Sequence, residues 1–253
     1  MARSAPASLV AVFLLVLALL LAIAAAQGPP LPPTNPSDAA ALHAVFRQWR
    51  LEGDAAAEDP CGKGAWSRSF AVNASVGCDC SSGVECRITQ LNVTGYRNIT
   101  EIPPALFNLT ELVSLDLSNN NLSGSVPREV GNLSKLETWW MFDNYIEGPI
   151  PEFIQNLTNL TDLRLYGMKL QGPIPQNFSK LINLENLMLG DLEGNYTSFE
   201  FVENWANLST LSLRKCGLTG QLLSPPRNLP KLKYLCQASV SKEKQSKPNF
   251  PLF

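Results

Sequence analysis

The sequence predicts an α/β solenoid, and three observations carry that expectation. A 24-residue period keeps its register through six consecutive units starting at Ile88, Leu112, Leu136, Leu160, Leu184 and Leu208. Each unit opens with apolar residues spaced as LxxLxL, the alternation of a short strand, and most continue into a stretch bearing Asn, Gly or Pro. A segment with one amphipathic stretch and four cysteines precedes the first unit, where the apolar end of a solenoid needs a cover.

The clearest unit, LVSLDLSNNNLSGSVPREVGNLSK, places Leu112, Leu115, Leu117, Leu122, Val126, Val130 and Leu133 on the inside, with Asn120, Gly124 and Pro127 between them. This is the spacing of a leucine-rich repeat, an architecture that binds more often than it catalyses. Positions four and six supply the inward pairs Leu91 and Val93, Leu115 and Leu117, Trp139 and Met141, Leu163 and Leu165, Leu187 and Leu189, and Leu211 and Leu213. A buried Leu contributes about 1.5 to 3 kcal/mol, against more than about 1 kcal/mol of ordering cost per residue, so a single unit cannot fold and stacking supplies the missing burial. Position nine is normally Asn, whose amide satisfies backbone groups in the tight coil. Only Asn120 and Asn144 comply; Tyr96, Met168, Leu192 and Cys216 stand there in the other units, and the fifth unit, reading GDLEGNYTSFEF, is expected to be irregular.

A solenoid grows linearly, so the repeats rather than the 253-residue length set the domain count. A net charge of −2 and 17% charged residues provide no footprint for nucleic acid and no polybasic surface for anionic lipid. Residues 1–26, with Arg3 ahead of an apolar run from Leu9 to Ile23 and then Ala24, Ala25 and Ala26, read as a secretory signal peptide cleaved after Ala26. No second stretch is long enough to span a membrane, so secretion to the cell wall is the expected location.

Residues 27–36 read as a Pro-rich spacer and 37–87 as a cap. From Ser37 to Leu51, the residues Leu42, Val45, Phe46 and Trp49 recur at helical spacing, with Ser37 or Asp38 available as N-cap. Cys61, Cys78, Cys80 and Cys86 form an even cluster, which in a secreted chain means disulfides in one of three pairings. Zinc is the rival reading, disfavoured by the single residue between Cys78 and Cys80 and by the oxidising compartment. No metal or other cofactor is implied.

The runs NLSGSVP, IEGPIP and LQGPIP resemble the plant-specific class of leucine-rich repeat, in which Gly and Ile-Pro open an outer strand or turn. More narrowly, CDCSSGVECRITQLNV and the stretch from YGMKLQGPIP to CGLTGQ resemble the ectodomain of plant receptor-like serine/threonine kinases that carry a malectin-like domain, over roughly residues 37 to 224. That resemblance implies further repeats, a malectin-like domain, a transmembrane helix and a kinase. None of these follows here: LPKLKYL starts a seventh unit and the pattern stops. Six repeats over 88–231 and an aberrant, disordered tail over 232–253 are therefore expected, as in a truncated receptor ectodomain.

Outward residues of neighbouring strands form columns on the concave face, and one group is unusual: Trp140, Phe142 and Asp143, Arg164 and Tyr166, Met188, then Arg214 and Lys215. Aromatic and Arg side chains bury large area at small entropic cost, and four strands span about 14 Å, which suits a short peptide or a glycan. The competing reading is that Trp140 and Phe142 pack on a neighbouring loop or lie beneath another domain. Sequons at Asn73, Asn92, Asn108, Asn121, Asn132, Asn156, Asn159, Asn177, Asn195 and Asn207 are candidate glycan acceptors; Asn98 also heads a sequon but replaces an inward leucine and is expected to be inaccessible. Cys216 reads as a small buried residue, and a disulfide to Cys236 has no geometric support.

Catalysis has little to stand on. His43 is the single histidine and sits in the capping helix, and no phosphate loop or kinase signature occurs. The expected function is an extracellular recognition module for a peptide, protein or glycan, as a receptor ectodomain acting as a decoy or co-receptor fragment beside a receptor kinase partner. The alternatives are a secreted inhibitor of a foreign cell-wall-degrading enzyme and a gene fragment without function.

Overall fold

Asn35 opens the first helix. Its Oδ1 accepts from the backbone N–H of Ser37 at 2.9 Å and of Asp38 at 3.3 Å, and Pro36 fills the first helical position, where a missing N–H costs nothing. The cap expected at Ser37 or Asp38 is thus corrected by two or three residues. Helix α1 spans Pro36–Trp49 and ends on Arg50, whose left-handed φ of 54° closes the last turn. Its apolar stripe, Leu42, Val45, Phe46 and Trp49, is buried as the spacing predicts.

The structure, a computed structural model, describes residues 31–51, 59–62, 74–192, 197–198, 204–216, 218–219 and 229–238, with Val12, Leu14 and Val16. The remainder of the leader expected at 1–26, the sequons Asn73 and Asn195, and most of the irregular stretch in the fifth unit lie outside the described residues.

The strands are β1 (Ala74–Asp79), β2 (Arg87–Val93), β3 (Ser114–Asp116), β4 (Ser123–Gly124), β5 (Thr138–Trp140), β6 (Tyr145–Pro149), β7 (Asp162–Leu165), β8 (Lys169–Gln171), β9 (Asn186–Gly190), β10 (Thr197–Ser198), β11 (Thr210–Arg214), β12 (Leu218–Thr219) and β13 (Tyr234–Ala238). The inner sheet runs β1-β2-β3-β5-β7-β9-β11-β13. From β2 onward it is parallel, and the fourth positions Leu91, Leu115, Trp139, Leu163, Leu187, Leu211 and Leu235 form one row. Opposite lie 3-10 turns at Pro104–Asn108, Arg128–Asn132, Glu152–Asn156 and Gln176–Lys180, each entered through a proline at the same place in the period, Pro103, Pro127, Pro151 and Pro175. The outer strands β4, β6 and β8 form a second parallel sheet from the Gly and Ile-Pro runs.

Two boundaries shift. The repeats reach past residue 231, because Leu232 and Leu235 occupy positions one and four and let β13 pair with β11 over Tyr234–Ala238; residues 239–253 lie outside the described residues. At the other end the spacer is not a free linker: Thr34 pairs with Cys86, and Asn35 N–H donates to the Cys86 carbonyl at 2.8 Å.

The cap also holds a strand the pattern did not announce, β1, antiparallel to β2, so the first repeat is covered by a strand as well as a helix. Of the three possible pairings the structure has Cys61–Cys78 and Cys80–Cys86. Asp38, fully buried, joins α1 to the first repeat by accepting from Arg87 Nε and from the Ile88 N–H, both at 2.9 Å. Asp59 is held below the usual carboxylate range: burial pushes it up, and hydrogen bonds from the Thr34 hydroxyl, Thr34 N–H and Cys61 N–H more than reverse that.

The turn after each inner strand sets where the concave side chains end. At position eight every unit is left-handed: Gly95, Asn119, Asp143, Gly167, Asp191 and Lys215 have φ between 50° and 79°. At position nine Asn144 Nδ2 donates to the carbonyls of Leu117 (2.9 Å), Met141 (3.1 Å) and Phe142 (3.3 Å), while its Oδ1 accepts from Leu122 N–H (3.0 Å). Asn120 does the same one unit earlier, to Val93 and Leu117 and from Tyr96. Cys216 keeps the geometry with a weaker donor, its Sγ 3.4 Å from the Leu189 and Arg214 carbonyls. Burial pushes that thiol up to about 12, with Asp191 adding to the shift.

Candidate concave binding face

The strand register sorts the outward side chains into two columns. Position five carries Asn92, Asp116, Trp140, Arg164, Met188 and Ser212, paired strand to strand. The second column, at position seven, includes Phe142, Tyr166, Gly190 and Arg214, with Gly190 opposite Arg214. All eight residues singled out in the sequence lie on this face or its rim, and all but Met188 fall into three clusters.

The first centres on Asp162, which the sequence reading passed over. Its carboxylate accepts from Arg164 Nε (2.9 Å) and Nη2 (2.8 Å) and from Trp140 Nε1 (2.9 Å). The guanidinium lies 4.1 Å from the centre of the Trp140 ring, a cation-π contact. One carboxylate therefore fixes both large side chains, and its hydrogen bonds, followed by the effect of burial in the opposite sense, leave Arg164 with a raised pKa. Asp162 stands two residues before Arg164 on the same strand, so period-two alternation alone would have placed them together.

The second is an aromatic stack. Phe142 and Tyr166 lie with ring centroids 4.7 Å apart and planes 7° from parallel. Burial, then the nearby Asp143 carboxylate, raises the Tyr166 phenol. Because the stacking partner stands on the adjacent strand, the ring faces look along the solenoid and their edges look outward. Asp143 is exposed beside them, packed so closely on Gly167 that a Cβ there would fall 2.0 Å from Asp143 Oδ1.

The third is a charged corner around Asp191, also missed in the sequence. Its Oδ2 pairs with Arg214 Nη2, and its Oδ1 lies 3.3 Å from Lys215 Nζ. Burial raises the Asp191 carboxyl, but hydrogen bonds from Arg214 and Lys215 outweigh it and the pKa falls below the ordinary value. Between this corner and Tyr166 lies Gly190, where a Cβ would come within 3.1 Å of the Arg214 carbonyl oxygen and 3.2 Å of Tyr166 Cβ. Met188 is half-buried in the position-five column between Arg164 and Ser212.

The sequons described sit mostly away from this face. Asn108, Asn132, Asn156, Asn159 and Asn177 are exposed, and Asn121 and Asn207 half-buried. Asn92 is exposed on the concave column of the first unit. Asn98 corrects the expectation of inaccessibility: it is exposed, donates to the Trp49 carbonyl at 2.9 Å, and leaves Ile99 to fill the core in place of the missing leucine.

Known proteins share this architecture. The Leucine Rich Repeat family profile matches residues 111–133. A probable LRR receptor-like serine/threonine-protein kinase of Arabidopsis thaliana is 40% identical over 65 residues, which is 25% of this chain and 6% of that kinase. The LRR ectodomain of the receptor kinase SOBIR1 from the same plant superposes with a TM-score of 0.50 over 83% of this chain and 95% of its own at 20% identity, a likeness of fold. The Arabidopsis receptor kinase HAESA, solved with the peptide hormone IDA and the co-receptor SERK1, gives a TM-score of 0.50 at 28% identity over 61% of this chain and 25% of that one. The fold is a leucine-rich-repeat solenoid of the kind found in plant receptor kinase ectodomains, and no helix among the described residues is long and apolar enough to cross a membrane.

Proposed function

We propose that this chain is an extracellular recognition module whose concave face, around Trp140, Phe142, Arg164 and Tyr166, binds an extended peptide. The observation that carries the proposal is the cluster held by Asp162: large amphipathic side chains are fixed in place before any ligand arrives, so little ordering entropy remains to be lost on binding. A peptide is favoured over a glycan because sugar rings stack on aromatic faces. Here one face of each ring is already covered, Trp140 by Arg164 and Phe142 and Tyr166 by each other. The HAESA complex, with its peptide hormone, supports the same choice by analogy of fold.

The two disulfides and the exposed sequons fit an oxidising secretory route, with glycans proposed at Asn92, Asn108, Asn132, Asn156, Asn159 and Asn177. Joined to a kinase, such a module reports its ligand; released, it sequesters the ligand as a decoy. The test is a random peptide library displayed on phage, panned on the secreted protein, beside a panel of xyloglucan and oligogalacturonate fragments. Enrichment of peptides without saccharide binding is expected; saccharide binding with no peptide enrichment overturns the proposal.

A further inference from the structure

We infer that the corner formed by Arg214, Lys215 and Asp191 recognises an acidic side chain, Asp or Glu, of the bound peptide. This rests on the peptide reading above and adds the chemistry of one subsite.

Two observations meet at this corner. The first is charge: two cations, with side chains 51% and 68% exposed, contact a single carboxylate that is 18% exposed, with Asp143 acting on Arg214 from farther off, so donors of both cations still face solvent. Arg164, in contrast, is matched one to one by Asp162 in a bidentate pair. The second is backbone. Position eight is left-handed in all six units, and the other five carry Gly or the short polar residues Asn and Asp that tolerate this region. Lys215, at φ 50°, is the exception. A long side chain held in a conformation that its own fold fills better with Asn or Gly points to a use for its charge.

The surroundings set the rest of the epitope. Tyr166 and Arg214 stand in one column with Gly190 between them, two strand spacings apart, or about 9.6 Å. An extended peptide advances about 3.3 Å per residue, so a chain crossing the strands would place its acidic residue about three positions from the residue packed against Tyr166. The shared carboxylate acts as a placeholder: an incoming acid takes up donors of Arg214 and Lys215 that Asp191 leaves unused, in charge-assisted bonds.

The test compares the wild-type protein with the Arg214→Ser/Lys215→Asn double variant, each panned against the same displayed library. The wild type is expected to enrich peptides with Asp or Glu three positions from an aromatic or aliphatic residue. The variant is expected to lose the acidic preference and to bind a synthetic copy of the wild-type consensus about tenfold more weakly. Lys215→Asn alone is expected to raise the melting temperature, by about 2 °C, because the strained residue is relieved. A fall in its melting temperature would make Lys215 a structural residue and overturn the assignment. Wild-type enrichment without acids, or with acids that the variant also enriches, overturns the corner and leaves the peptide reading standing. A library that enriches nothing overturns both, and oligogalacturonate binding abolished in the variant reassigns the corner to a saccharide.

Discussion

Replacing Asn144 with Ala should destabilise the solenoid far more than a typical polar substitution, and the structure says by how much. Asn144 is 5% exposed and links the backbone of two units: it donates to Leu117, Met141 and Phe142 and accepts from Leu122. The Leu117 carbonyl keeps Asn120 as a donor at 2.9 Å, so it is not orphaned. Leu122 N–H, within a fully buried residue, loses its acceptor. One orphaned donor at about 1–3 kcal/mol and the loss of two net bonds at about 0.5–1.5 kcal/mol each give roughly 2–6 kcal/mol. For a domain of this size about 2–4 °C follows each kcal/mol, so the melting temperature should fall by about 4–24 °C. Cys216→Ala, at the equivalent place, removes only sulfur contacts of 3.4 Å and a small side chain, and should cost less than about 4 °C. Circular dichroism melts of the two variants decide it. A fall of less than about 2 °C for Asn144→Ala, or a larger fall for Cys216→Ala, would refute the reasoning that position nine braces the concave face.

Other outcomes follow from the same geometry. The Cys216 thiol, raised to about 12 by burial, stays protonated at neutral pH, so iodoacetamide at pH 8 should label its tryptic peptide only after unfolding; rapid labelling of the native protein would contradict this. Asp59 and Asp191 have folded pKa values below their unfolded ones. Their stabilisation is complete above about pH 4 and is lost as pH falls through the folded values, so melting temperature should hold from pH 7 to about 5 and drop below 4, less steeply in Asp191→Asn. An identical acid limb in that variant would count against the Arg214 and Lys215 contacts. Asp162→Ala releases Trp140 and Arg164 together and should weaken selected peptides at least as much as Trp140→Ala does, measured by calorimetry; unaltered affinity would show that the carboxylate does not position the face.

Much of this architecture was legible because a solenoid writes its fold as a period. Leu91 through Leu211 could be placed in one row from spacing alone, and the register is as the count requires. What spacing could not supply was tertiary chemistry outside the period. Strand β1 carries Val76 and Cys78 in a stretch too short and too mixed to announce a strand, and it exists because the exposed edge of β2 needs a partner. Asn35 displaced Ser37 as the helix cap because the proline after it fixes where the first turn begins. On the concave face the sequence pointed to large side chains and missed the acids that hold them. Asp162 and Asp191 look like ordinary surface charges until the strands are stacked, and only then do Trp140 and Arg164 converge on the one and two cations on the other.

The central claim is that the concave face built on Trp140 and Tyr166 binds a peptide. Its most direct test is the affinity of a library-selected peptide for the wild type and for Trp140→Ala/Tyr166→Ala, measured by calorimetry on glycosylated protein that still melts cooperatively. Aromatic anchors of this kind contribute about 2 kcal/mol or more each, so a loss of affinity of about a hundredfold or greater is expected. An unchanged dissociation constant in a folded double variant would place the binding surface elsewhere and contradict the account.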